Sequence, residues 1–317
     1  MPMHELNGLQ LIRLHFKVEF GNSGTVSHDW GNTLRGGFGH ALRDISCALR
    51  RDNCGDCILG RDCAYGYLFE TPIQASDAVM RKYTNAPHPF VIEPPASRRS
   101  FASEEEGTSF AFVLIGRAHK YLPHVLLAIN RLGELGLGRD RVTYQVSTVT
   151  SDSGEVLYDR AAGRHVRPAT PEFFSLDPGK HGVKKFSLIF ESPLRLQNEG
   201  RILERPNIFD IVSALRRRAF LLNCFHGEGD GTQLSGAFLD AATEVVTNNS
   251  SFFWSEATRR STRQQREIPL GGVLGRLDCE GDFGVLHPLL KIGDYVHVGK
   301  NATFGLGRMR TEEGDTT

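Results

Sequence analysis

This 317-residue chain has no net charge to spare: 37 lysines and arginines are matched by 37 aspartates and glutamates. That balance excludes a uniformly polycationic surface, although a local basic groove depends only on where the arginines sit. No apolar run approaches the ~20 residues that a membrane-spanning helix needs. The opening MPMHELNG lacks the pattern of a secretory leader, so the expectation is a cytoplasmic protein with no membrane partner. In that compartment the six cysteines are thiols or metal ligands rather than disulfides. Three enzyme signatures are also missing. No Gly-Lys-Ser/Thr enters a helix as in a Walker loop, no dinucleotide fingerprint follows a first strand, and no His-Glu-x-x-His set appears.

What is present is glycine, 34 residues of it, and a phrase that occurs twice. Gly-Leu-Gly-Arg stands at 136–139 and again at 305–308, each time before a short candidate strand. The surroundings repeat as well. LNGLQLIRLHFKVEF alternates like a strand. TLRGGFGHALRDISCAL has helical spacing at Leu34, Phe38, Ala41, Leu42, Ile45 and Leu49, with Thr33 as the expected N-cap. YGYLFETPI and SFAFVLIGRA read as strands, LPHVLLAINRLGEL as a helix and DRVTYQVSTV as a fourth strand.

The second half follows the same order. KKFSLIFESPL is a strand and NIFDIVSALRRRAFLLNCF a helix, with Ile208, Ile211, Val212, Leu215, Ala219 and Leu222 on one stripe. Asn207 with Asp210 resembles a capping box. EVVTNNSSFFWSE and GVLGRLDCEG are strands, FGVLHPLLKIGDYVHVG a short helical or turn segment, and FGLGRMRTE the last strand. Two β-α-β-β-α-β units are what an internal duplication predicts. The expected class is therefore α+β, with two tandem ferredoxin-like (RRM-like) domains at 1–150 and 181–317. A polar, Gly- and Pro-broken linker or hairpin joins them at 151–180.

The second glycine phrase has basic company. A loop running from Gly299 through Lys300 to Gly305, Gly307 and Arg308 can turn backbone N–H groups toward a phosphate. Upstream, RRSTRQQR places Arg259, Arg260, Arg263 and Arg266 before the first acid at Glu267, and the preceding helix carries Arg216, Arg217 and Arg218. Seven arginines in two short runs segregate charge within a neutral chain, and arginine suits forked phosphate contacts.

The stretch from Trp254 through RRSTRQQ, GGVLGRLDCEG and HPLLKIGDYVHVGKNATFGLGRM resembles the C-terminal domain of the CRISPR-associated endoribonuclease that processes precursor CRISPR RNA, a family of the repeat-associated (RAMP) superfamily. TLRGGFGHALRDISC, the cysteine cluster and YGYLFETP look like a variant with extra cysteines. The resemblance implies RNA bound across two ferredoxin-like domains and a cut within the CRISPR repeat. It further implies metal-independent attack by the substrate's own 2′-OH, leaving a 2′,3′-cyclic phosphate and a 5′-OH. Retention of the crRNA product would fit, as would membership of a multisubunit effector complex. A second reading is a catalytically inactive crRNA-binding subunit of such a complex, as some superfamily relatives are.

Such a cut asks for a base, an acid and cations around the phosphorane. His40 is the first candidate. On a helical wheel it lies opposite the apolar stripe, with Gly36, Arg43 and Cys47. Gly36, Gly37 and Gly39 each cost roughly 1 kcal/mol against alanine, which points to a backbone that something approaches closely. His28, beside Asp29, is the second candidate. Lys300, Arg35 and Arg43 are candidates for the cationic role, and His297, alternating with Val296 and Val298, for an RNA contact.

Cys47, Cys54, Cys57 and Cys63 carry a close Cys-x-x-Cys pair flanked by two more cysteines, within an insertion at 47–63. That set fits a structural tetrahedral zinc; an iron–sulfur cluster or reduced thiols are the alternatives. Four thiolates leave no open coordination position, so no cofactor is expected in catalysis.

Overall fold

The alternation of Ile12–Phe20 within β1 (Gln10–Phe20) organises the N-terminal unit. Ile12, Leu14, Phe16, Val18 and Phe20 are buried on one face, while Arg13, His15, Lys17 and Glu19 turn to the other. This computed structural model describes residues 9–314 except 51–53, 55, 56, 61, 72–85, 97, 98, 164, 165, 175–182, 228–235, 257 and 262–265. After β1 come β2 (Gly24–Thr25), α1 (Trp30–Ser46), β3 (Phe90–Glu93), β4 (Phe101–Ala102), β5 (Gly107–Ile115), α2 (Leu122–Leu135), β6 (Tyr144–Ser151) and β7 (Val156–Asp159). Gln10–Glu172 with Phe225–Gly227 form one compact unit, and Met1–Leu9, Phe173–Cys224 and Glu228–Thr317 the other.

In the first unit the antiparallel order is β3-β5-β1-β6-β7, the β-α-β-β-α-β arrangement extended by the β6–β7 hairpin. Leu34, Phe38 and Leu42 of α1 and Val125, Ile129 and Leu132 of α2 close over the inward face of β1. Each such side chain contributes about 2 kcal/mol by leaving water. Phe38 meets Phe112 edge to face, with ring centroids 4.7 Å apart.

Three local expectations change here. The α1 cap is Asp29 rather than Thr33: Asp29 Oδ1 accepts from the Asn32 N–H at 3.1 Å, and Thr33 Oγ1 donates back to the Asp29 carbonyl. The helix stops at Ser46, leaving Ile45 and Leu49 exposed rather than in the stripe. Tyr65–Glu70 is no strand. Gly66–Glu70 is a helical turn, with Tyr65 stacked on Phe69 and Tyr67 on Tyr121. The strand expected there is supplied by β3, all four of whose residues are buried.

Past β8 (Glu172–Phe173), the second unit holds β9 (Lys185–Leu194), β10 (Gln197–Asn198), β11 (Arg201–Ile202), α3 (Ile208–His226), α4 (Ala237–Glu244), β12 (Val246–Ser255), β13 (Thr258–Ser261), β14 (Arg266–Pro269), β15 (Gly272–Glu280), α5 (His287–Val296) and β16 (Met309–Glu313). Its sheet order, β12-β15-β9-β16, is again that of a β-α-β-β-α-β unit. The α3 stripe from Ile208 to Leu222 is buried as its spacing requires. The capping box forms in both directions: Asn207 N–H to Asp210 Oδ2 at 3.0 Å, and Asp210 N–H to Asn207 Oδ1 at 2.9 Å. No helix among the described residues is long and apolar enough to cross a membrane.

Candidate functional site

The exposed face of α1 carries the N-terminal candidates. His40 is exposed, one turn from Gly36, where an added Cβ would meet nothing within 4 Å. Gly37 and Gly39 answer a different need. A Cβ on Gly37 would lie 2.4 Å from Leu132 Cδ1, and one on Gly39 2.9 Å from the Phe69 ring. Two of the three glycines therefore let α2 and an aromatic ring approach, and only Gly36 leaves backbone open beside His40. Arg43 lies over the Tyr65 ring at 5.7 Å, and Arg35 over Phe69 at 5.3 Å with Nη2 3.0 Å from His88 Nε2. His28 is exposed just before the helix, and the neighbouring Asp29 carboxylate is engaged in capping.

Two of the four cysteines, Cys47 and Cys63, sit at the exit of this helix. Cys47 is its C-cap, the Cys57 N–H donates to the Cys54 carbonyl at 3.2 Å, and Cys63 Sγ lies 3.8 Å from the Ser46 carbonyl. Burial, then the Glu70 carboxylate, pushes the Cys54 thiol up. Among the described residues, no three cysteine, histidine or carboxylate side chains converge as a metal-binding group. The geometry thus lends no support to the zinc or iron–sulfur expectation.

The C-terminal glycine loop departs further from its sequence reading. Its N–H groups are spent inside the protein: Lys300 on the Arg195 carbonyl, Gly305 on Ala302, Gly307 on Pro193 and Arg308 on Ser192 Oγ, at 2.8–3.0 Å. The expected anion cradle at Gly305 and Gly307 is a tightly hydrogen-bonded turn instead. Gly307 has φ +64°, and a Cβ there would sit 1.8 Å from the Val298 carbonyl oxygen. The 136–139 copy behaves alike, with Gly138 at φ +70° against the Val26 carbonyl. His297 is also reassigned. It is the fully buried C-cap of α5, with Nδ1 3.2 Å from the Leu306 carbonyl, and is not at the surface. Reading YVHVG as extended put it on the wrong side; the helix runs through Val296.

The basic residues divide. Lys300 is exposed, with its ammonium on Gln197 Oε1, and Arg308 pairs with Glu191 at 3.2 Å. Arg217 is exposed and Arg216 half-buried on α3, whereas Arg218 donates from Nε to the Val296 carbonyl at the end of α5, its guanidinium brought down to about 10 by burial. Arg259, Arg260 and Arg266 lie on the β13–β14 hairpin, where Arg260 is registered opposite Glu267; Arg263 lies outside the described residues.

One constellation escaped the sequence reading. On the outward face of β1, His15 Nε2 lies 2.6 Å from Asp152 Oδ1, and Arg13 bridges Asp152 Oδ2 (3.1 Å) to the buried Glu93 (3.0 Å). Partners 137 positions apart leave no local pattern to find.

Two family models account for most of the chain. Residues 9–170 match AF_1859_N, described as an N-terminal domain, and residues 188–309 match CRISPR-associated endoribonuclease Cas6. The C-terminal part of the chain is a Cas6-family domain. Members of this family are endoribonucleases that process CRISPR RNA. A relative from Archaeoglobus fulgidus, described as an uncharacterized protein, is 29% identical over 305 residues, covering 95% of this chain and 98% of its own. Among solved structures, Thermus thermophilus Cas6 aligns at 12% identity over 96% of this chain and 99% of that one, with a TM-score of 0.55. A Cas6 product complex aligns at 12% identity over 95% and 100%, with a TM-score of 0.56. A partial Cas6-RT-Cas1–Cas2 complex aligns at 13% identity over 97% of this chain and 47% of that one, also with a TM-score of 0.56. At these identities the structural likeness establishes the shared fold of tandem ferredoxin-like domains.

Proposed function

We propose that this protein cuts precursor CRISPR RNA within the repeat by intramolecular transesterification and keeps hold of the crRNA. The 2′-OH gives its proton to a base and its oxygen attacks the adjacent phosphorus. The 5′ oxygen leaves with a proton from an acid, giving 2′,3′-cyclic phosphate and 5′-OH ends. His40 is the proton-transfer residue in this reading, with Arg43 and Arg35 as neighbouring cations on α1. The observation that carries the assignment is the pairing of an exposed imidazole with open helix backbone at Gly36, which admits a phosphodiester to within contact distance.

The test is cleavage of the cognate repeat RNA in excess EDTA by wild type and His40→Ala, with a 2′-deoxy nucleotide at the scissile position as control. Cleavage by wild type in EDTA, its loss by at least 100-fold in His40→Ala, and an intact 2′-deoxy substrate are expected. Tight binding with intact RNA throughout would replace this reading with that of an inactive crRNA-binding subunit. Unchanged cleavage by His40→Ala would move the proton transfer to another histidine, His28 first.

A further inference from the structure

The outward face of the C-terminal sheet carries a feature that the cleavage reaction leaves unused. The register of β12, β15 and β9 sets Phe253 opposite Leu274, and Ser251 opposite Arg276, which in turn is opposite Ile189. Phe253, Leu274 and Ile189 therefore share one face with Ser251 and Arg276. They line a shallow, open cavity of about 550 Å³ on the sheet surface. Phe253, the eighth residue of the ten-residue edge strand β12, is 62% exposed. The polar wall is rigid. The Arg276 guanidinium is held by Asp278 (2.6 Å), Glu312 (2.9 Å) and Ser187 Oγ (2.8 Å). Glu191, also at the cavity, pairs with Arg308 and Arg310.

We propose that this cavity takes one unpaired base of the RNA, stacked on the Phe253 ring beside the fixed Arg276 guanidinium. This rests on the reading of the protein as an RNA-processing enzyme. Two observations select a base as occupant. The walls combine an exposed ring, aliphatic side chains and a planar cation, the surfaces on which bases stack. The rim charges are already neutralised in pairs, so the site suits a neutral aromatic ligand rather than a phosphate or an acidic peptide.

The test is equilibrium binding of a cleavage-blocked, 2′-deoxy-substituted repeat RNA to wild type, Phe253→Ala, Phe253→Leu and Phe253→Trp across a salt series. Phe253→Ala is expected to weaken binding roughly 5- to 150-fold, the equivalent of one lost base stack. Phe253→Leu should weaken it similarly, and Phe253→Trp should restore it. The slope of log K against log salt should stay unchanged, because no phosphate contact is removed. In an abasic scan of the same RNA, one position should show no further loss with Phe253→Ala, locating the stacked base. Wild-type RNA binding with full affinity in Phe253→Ala overturns this proposal alone, as does an abasic scan without such a position. Self-association lost in Phe253→Ala while RNA binding is unchanged assigns the surface to a second copy and also overturns it. Failure of wild type to bind the RNA overturns the functional reading and this inference with it.

Discussion

His15 Nε2 sits 2.6 Å from Asp152 Oδ1, and the same carboxylate accepts from Arg13 through its other oxygen. The chain of contacts runs inward from an exposed imidazole to the buried Glu93, so its members differ in energetic weight. Arg13→Ala takes the guanidinium away from a buried carboxylate and is expected to cost about 3 kcal/mol. Asp152→Ala removes partners near solvent and should cost about 1 kcal/mol. Urea unfolding of the two variants checks the order; equal losses would contradict it.

The three glycines with most room for contrast are Gly36, Gly154 and Gly307. Gly36→Ala adds a methyl to open helix and should stabilise by about 1 kcal/mol. Gly154, at φ +81° with nothing near its would-be Cβ, should lose about 1 kcal/mol on substitution. Gly307→Ala combines positive φ with a collision against the Val298 carbonyl and should lose roughly 3 kcal/mol or more. For Gly36→Ala the second readout is decisive. A rise in melting temperature together with slower RNA cleavage means that RNA approaches this backbone; unchanged cleavage means that it does not.

The α3 cap offers a simpler measurement. Asn207→Ala should cost about 1 kcal/mol, and adding Asp210→Ala should cost less than the two single losses summed, because the bonds are reciprocal. Strict additivity in a double-mutant cycle would count against the capping box.

Glu313 links stability to pH. Its hydrogen bond from His287 holds the carboxyl below the ordinary glutamate range despite partial burial, with Lys291 adding to the effect. A carboxyl depressed in the folded state contributes stability that is complete above its unfolded value and fades as pH falls through the folded one. Unfolding free energy should therefore decline below about pH 4.5, the ordinary glutamate value, and Glu313→Gln should flatten part of that decline. A Glu313→Gln profile parallel to wild type would refute the linkage.

What the sequence revealed and what it hid follow one rule: signals local in sequence were readable. β1 alternates with period two, α3 carries its stripe with its cap residues three apart, and both units follow the expected element order. Tyr65, Tyr67 and Phe69 imitate a strand because aromatic alternation is the same signal in both cases; ring stacking onto Phe69 and Tyr121 settled it in favour of a helical turn. Phe90–Glu93 is a strand too short to show alternation, and its burial comes entirely from tertiary packing. At the candidate site, the exposure of His40 followed from the wheel. The burial of His297 did not, because it depends on where α5 ends. The His15–Asp152 pair and the Phe253 cavity exist only through strand pairing, which no single stretch encodes.

Gly307 also bears on how a mutational survey of this chain should be scored. A substitution there is expected to lower the signal in any screen for activity by lowering the amount of folded protein, and a change in the chemistry would lower the same signal. The collision with Val298 makes the first a folding phenotype, visible as lost soluble yield before any RNA is added. Recurrence of the same tetrapeptide in both halves then measures how unforgiving that turn is as architecture. Yield and turnover must be recorded separately for every variant, or the most intolerant positions will be mistaken for the chemistry.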